Sequence, residues 1–163
     1  MVILRCKVVL VGDATVGKTA LVNTFMNGPT GYPKNYIMTP GCEIHQKQIS
    51  VSEGSATVEL QIFDTSGQVI YKDITSAMVT DIQYQHANVV VLAYDISNED
   101  SFKSLNAWLR SVRDSLREFP FVGVVVATKC DMTDRIAVRP QEGASFARGN
   151  GFEFFESSAV RYI

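Results

Sequence analysis

The sequence has little of what builds disulfide-stapled, metal-clustered or membrane-spanning proteins. Its three cysteines, Cys6, Cys42 and Cys130, are scattered along 163 residues. An odd and dispersed set is no disulfide framework, so free thiols in a reducing, cytosolic compartment are predicted. Only two histidines occur, His45 and His86, and neither has a cysteine or second histidine at metal-ligating spacing. Neither sign of charge is in excess: 15 Lys and Arg against 17 Asp and Glu leave a net charge of −2. That balance argues against binding nucleic acid or anionic membrane through bulk charge. No apolar run approaches the roughly 18 residues that cross a bilayer. The first residues lack the charged-then-apolar order of a secretory signal, and Val2 stands where myristoylation requires glycine. No Pro- or Ser-rich linker and no repeat divide the chain, so residues 1–163 read as one soluble, intracellular domain.

What is present is an alternation of strands and helices. Residues 5–11 (RCKVVLV), 58–63 (VELQIF), 88–94 (NVVVLAY), 121–127 (FVGVVVA) and 152–155 read as strands. The Val-rich runs at 88–94 and 121–127 suit parallel strands buried on both faces. Phe102, Leu105, Leu109, Val112 and Leu116 form one apolar stripe at helical spacing, which predicts a single long helix. Ser97 and Asp100 offer a capping box ahead of it, and Glu99 and Asp100 suit its first turn. Pro140 opens a further helix, and the Gly149-Asn150-Gly151 stretch ends it. Trp108 is expected in the core beside the stripe. Such alternation predicts an α/β protein with a mostly parallel sheet in a three-layer, doubly wound arrangement. Ligands of such sheets bind at the carboxyl ends of the strands.

The first strand runs into Gly12-Asp13-Ala14-Thr15-Val16-Gly17-Lys18-Thr19, a complete G-x-x-x-x-G-K-[ST] loop ahead of a helix. Backbone N–H groups from Asp13, Ala14, Thr15, Val16 and Gly17 to Lys18, Thr19 and Ala20 can cradle an anion. Lys18 can reach the β- and γ-phosphates and the Thr19 hydroxyl can bind Mg²⁺. The strand at 58–63 leads to Asp64-Thr65-Ser66-Gly67-Gln68. There Asp64 can hold the shell of a Mg²⁺ ion, the Gly67 N–H can meet a γ-phosphate, and Gln68 can orient an attacking water. The strand at 121–127 leads to Thr128-Lys129-Cys130-Asp131, whose Asp131 carboxylate matches the paired N1–H and N2–H₂ donors of guanine. Backbone N–H groups of Ser158 and Ala159, after the last strand, are suited to the guanine O6.

These four stretches, in this order, resemble the Ras superfamily of small GTPases and its Rab branch in particular, over essentially the whole chain. The resemblance implies the P-loop small G-protein fold with a six-stranded, mostly parallel sheet, GTP or GDP and Mg²⁺ as cofactors, and slow GTP hydrolysis in a molecular switch. The stretch Thr39-Pro40-Gly41-Cys42-Glu43-Ile44 is similar to the Rab switch I, which implies Thr39 as second protein ligand of Mg²⁺. Tyr32 is implied beside the guanine edge and Tyr36 over the γ-phosphate. Lys18, Thr39 and Gln68 are the implied catalytic set, with Thr19, Thr39 and Asp64 as the metal set. Thr128 and Lys129 complete the base site with Asp131.

LRCKVVLVGDATVGKTAL, KNYIMTPGCEI and SATVELQIFDTSGQ further resemble the intraflagellar transport branch of Rab-like GTPases. That implies a small β-sandwich partner, intraflagellar transport protein 25, within the larger B complex, and a location in cytoplasm and cilium or flagellum. An activating protein and an exchange factor are implied partners; a direct membrane anchor is not expected in this chain. Thr128 stands where most relatives have Asn, and Ala14 where they carry Gly or Ser. Ile44 and Phe63 replace the Phe and Trp of the Rab effector triad, and switch II, residues 69–86, is longer than in Rabs. The family's last helix would begin after Ala159, beyond most of this sequence. Two other functions are open at this point. One is a nucleotide-bound structural subunit with little turnover, the other a vesicle-trafficking Rab.

Overall fold

The computed structural model of the chain describes residues 2–51, 56–67, 84–117 and 119–163. Six strands form one sheet: β1 (Val2–Val11), β2 (Cys42–Val51), β3 (Ala56–Thr65), β4 (Val89–Asp95), β5 (Val122–Thr128) and β6 (Glu153–Glu156). Their order is β2-β3-β1-β4-β5-β6. All neighbours are parallel except β2 and β3, which pair antiparallel from Cys42↔Thr65 to Val51↔Ala56. The helices are α1 (Lys18–Asn27), α2 (Glu99–Lys103), α3 (Leu105–Leu116) and α4 (Pro140–Asn150), with short 3₁₀ turns at Gly28–Gly31 and Thr133–Arg135. The predicted mostly parallel sheet with helices on both faces is what folds.

Three local readings differ from expectation. Strand β2 escaped detection because its sequence, CEIHQKQISV, lacks a clean apolar alternation, as an edge strand tolerates. The single long helix is divided at Ser104, whose carbonyl receives both the Ala107 and the Trp108 N–H, at 3.0 and 3.1 Å. The i+3 bond tightens the turn locally. The cap is Asn98 rather than Ser97: Asn98 Oδ1 accepts from the N–H groups of Asp100 and Ser101 at 3.0 and 3.2 Å. Ser97 instead gives its N–H and hydroxyl to Asp95 Oδ1. Pro140 does open α4, and Gly151 closes it with a left-handed φ of 73°.

The main core lies between one sheet face and α2–α4. Val9, Val11, Val90, Leu92, Tyr94, Val125 and Ala127 meet Leu105, Leu109, Val112, Leu116 and Ala147 there. Strands β4 and β5 are not covered equally on both faces. Val90 is fully buried whereas Val89 and Val91 are half-buried, and Val122 is 58% exposed. The reason is that α1 is the described helix on the second face, and its Val22 packs on Leu10 and Ile62 near β1 and β3. No helix among the described residues is long and apolar enough to cross a membrane. The three cysteines form no disulfide.

Candidate functional site

The P-loop path depends on glycine at its first position. Gly12 has φ +144°, and a Cβ there would lie 2.2 Å from the Ala93 carbonyl oxygen. Gly17, with a left-handed φ of 102°, stands at the N-terminus of α1 with no side-chain cap. The first N–H groups of α1 are therefore offered to an anion at the positive end of the helix dipole. Lys18 is 6% exposed and folds back across the loop. Its Nζ donates to the carbonyls of Gly12 and Asp13, each at 2.8 Å. Burial pulls its pKa down to about 8, against the attraction of Asp64 and Asp13.

Three residues read as metal ligands converge beside this lysine. The Thr19 hydroxyl donates to Asp64 Oδ2 at 2.6 Å and lies 2.8 Å from the Thr39 hydroxyl. Asp64 is fully buried, and its other oxygen, Oδ1, has no hydrogen-bond partner. Burial raises the Asp64 pKa, although the Thr19 bond and the Lys18 charge act the other way. A buried carboxylate oxygen left without a partner, next to two hydroxyls, fits an oxygen-ligated divalent cation such as Mg²⁺. No group of three or more His, Cys, Asp or Glu suited to a metal occurs among the described residues.

A cavity of about 300 Å³ opens over these groups. Ala14, Thr15, Gly17, Lys18 and Thr19 line it from the P-loop, Tyr36 and Thr39 from switch I, and Thr65 and Gly67 from the end of β3. The Ser66 N–H donates to the Gly41 carbonyl at 2.7 Å, joining the switch I stretch to the residue after β3. Gly67 packs so closely on the P-loop that a Cβ would sit 2.2 Å from the Ala14 nitrogen. Tyr36 thus reaches the cavity, whereas Tyr32, 44% exposed after the Gly28–Gly31 turn, is outside its lining. Gln68, with most of switch II, lies outside the described residues.

The second half of the site forms where β5 and β6 end. Thr128 is buried, and its hydroxyl lies 2.5 Å from the Val16 carbonyl and 2.8 Å from that of Tyr94. Lys129, with φ 59°, pairs with Asp95 at 2.6 Å. Asp131 Oδ1 accepts the Ser158 hydroxyl proton at 2.5 Å. The Ser158 N–H, expected to face a base, instead donates to the Ile163 carbonyl at 2.7 Å, because the residues after β6 turn back on it. Ala159 follows, half-buried, in the same turn.

Sequence reasoning missed the side-chain contacts of Thr128 with Val16, Ser158 with Asp131, Lys129 with Asp95 and Trp108 with Asp13. The Asp95–Lys129 pair has no local signal, since its partners are 34 residues apart. The indole N–H of Trp108 donates to Asp13 Oδ1 at 2.8 Å, so the expected core tryptophan also touches the P-loop. His45 lies on β2 and His86 in the turn before β4.

A P-loop, a buried strand-end carboxylate and a second carboxylate beyond β5, on this sheet order, define a small GTPase. The chain belongs to the Ras family, whose family model matches residues 7–162. Among curated proteins it is similar to the intraflagellar transport protein 27 homolog of Trypanosoma brucei brucei (strain 927/4 GUTat10.1). The two are 37% identical over 163 residues, all of this chain and 85% of the relative. The Mus musculus homolog is 37% identical over 158 residues, 97% of this chain and 82% of its own. Ras-related protein Rab-13 of Canis lupus familiaris is 34% identical over 156 residues, 94% of this chain and 70% of the relative.

Proposed function

We propose that residues 1–163 form one G domain that binds GTP and GDP with Mg²⁺, hydrolyses GTP slowly, and acts as a switch subunit in intraflagellar transport. The observation that carries the reading is the convergence of Thr19, Thr39 and Asp64 beside Lys18, with Asp64 Oδ1 buried and unpartnered. Thr19, Thr39 and Asp64 would hold a Mg²⁺ ion, the two threonines by their hydroxyls and Asp64 through water, and the ion would supply positive charge beside the β- and γ-phosphates. Lys18 exchanges its two carbonyl partners for phosphate oxygens. The Gly67 N–H meets the γ-phosphate, and Gln68 orients the attacking water. Tyr36 covers the phosphates and Tyr32 the base edge. Asp131 accepts from guanine N1–H and N2–H₂, supported by Ser158, with Lys129 and Thr128 shaping the pocket and Ala159 supplying a backbone N–H. Thr39 and Gly67 couple both switch segments to the γ-phosphate, so its loss releases them.

The similarity to intraflagellar transport proteins supports a place in the intraflagellar transport machinery; within it, the proposed position is the B complex beside intraflagellar transport protein 25, in cytoplasm and cilium or flagellum. An activating protein and an exchange factor complete the cycle. Competition binding of GDP, GTP and ATP, with single-turnover hydrolysis, tests the reading. Guanine preference and a rate no faster than about 10⁻³ per second are expected; equal binding of ATP overturns it. The Ala14 methyl in the lining of the phosphate cavity, where it crowds the position of an attacking water, favours a second reading, a structural subunit with negligible turnover. Hydrolysis that stays negligible with the partner added would select that reading.

A further inference from the structure

Asp13 stands at a junction of the P-loop. Its carbonyl accepts from Lys18 Nζ at 2.8 Å. Its backbone is pressed by Gly67, whose Cβ would sit 2.4 Å from the Asp13 carbonyl oxygen. Its side chain points elsewhere: Oδ1 accepts the Trp108 indole N–H at 2.8 Å, across 95 residues. Ala14, Thr15, Gly17, Lys18 and Thr19 line the phosphate cavity, and Asp13 is absent from that lining. Trp108 is half-buried on α3, packed against the main core, so its ring has a fixed platform. A carboxylate beside a phosphate cradle carries the wrong charge for the ligand, and it is near enough to attract the Lys18 ammonium. Something must keep it away.

We propose that Trp108 is a positioning residue for nucleotide binding: its N–H holds the Asp13 carboxylate against α3, out of the phosphate cavity. Lys18 and the loop N–H groups are thereby left for phosphate. The proposal rests on the guanine-nucleotide reading above. Trp108 touches no nucleotide itself; it acts through Asp13.

The test is a double-mutant cycle read by release of a fluorescent GDP. Trp108→Phe keeps a ring in place and removes the donor. It should speed release about three- to tenfold in the native background, the scale on which the net loss of one hydrogen bond acts. Added to Asp13→Ala, the same substitution should change nothing, because the carboxylate it restrains is gone. Equal acceleration in both backgrounds would mark Trp108 as packing alone and overturn the proposal, as would no acceleration in either. Trp108 is the sole tryptophan, so its emission reads the contact without replacing the ring. Asp13→Ala should shift that emission, and an unshifted spectrum also overturns the proposal. Running the cycle with pyrophosphate separates two failures. A native chain that holds pyrophosphate but not GDP refutes the guanine reading, and the cycle then still decides the role of Trp108.

Discussion

The hydroxyl of Thr128, at the end of β5, lies 2.5 Å from the carbonyl of Val16, 112 residues earlier in the chain. Thr128 thereby ties the end of β5 to the P-loop. It also reaches the Tyr94 carbonyl at 2.8 Å, so one hydroxyl serves two strands and a loop. Thr128→Val keeps the volume and removes the donor. A loss of about 1–3 kcal/mol in urea unfolding is expected, since the carbonyl that takes the single hydroxyl proton loses its partner. Faster GDP release should accompany it. Unchanged stability would mean that those carbonyls are satisfied without the hydroxyl.

Asp131 sets base choice in the proposed site. With Oδ1 engaged by Ser158 at 2.5 Å, the carboxylate is held in one orientation. Asp131→Asn presents an NH₂ to the guanine N2–H₂, donor against donor, whereas xanthine offers a carbonyl there. Preference should move from GTP toward xanthosine triphosphate by roughly ten- to a thousandfold. Competition between the two nucleotides measures it, with Lys18→Ala as the contrast that weakens every nucleotide alike. A mutant that keeps its guanine preference would place base recognition elsewhere.

Acid stability should depend on Asp95. Its burial acts to raise the carboxyl pKa, but the bonds from Lys129 and Ser97 outweigh burial and hold it below the ordinary 3.8. A depressed carboxyl adds stability above its unfolded pKa, and that stability is lost as pH falls through the lower native value. Asp95→Asn should therefore cost about 1.5–3 kcal/mol at pH 7. It should also flatten the fall in stability below about pH 4. Urea titrations at pH 3 to 7 read both effects; parallel curves for mutant and native protein would refute the assignment.

Gln68→Leu removes the proposed water-orienting amide. Single-turnover hydrolysis should slow about ten- to a hundredfold, the scale on which loss of alignment acts. GTP affinity should hold. A mutant with the native rate would show that another group aligns the water.

Gly12→Ala tests the path of the loop itself. The new methyl would meet the Ala93 carbonyl oxygen at 2.2 Å, at a φ of +144° that side chains rarely adopt. A destabilisation of about 3 kcal/mol or more is expected, read as a lowered melting temperature. A soluble mutant with the native melting temperature would contradict the packing of Gly12 on β4.

The sequence by itself determined the motifs that lie in contiguous stretches. The P-loop from Gly12 to Thr19, Asp64 with Gly67, and Thr128 to Asp131 are legible because their spacing is local. A turn, a strand end and a helix start each constrain only a few neighbouring residues. The Val-rich runs announced β4 and β5 for the same reason. Only the tertiary structure decided that β2 closes one edge, because an edge strand is stabilised by its partner β3 rather than by a buried pattern of its own. It also decided the contacts that make separate motifs one site: Thr128 to Val16, Ser158 to Asp131, Lys129 to Asp95 and Trp108 to Asp13. Each links residues at least 27 positions apart. A hydrogen bond depends on distance and angle in space, and the sheet order β2-β3-β1-β4-β5-β6 brings the partners within reach.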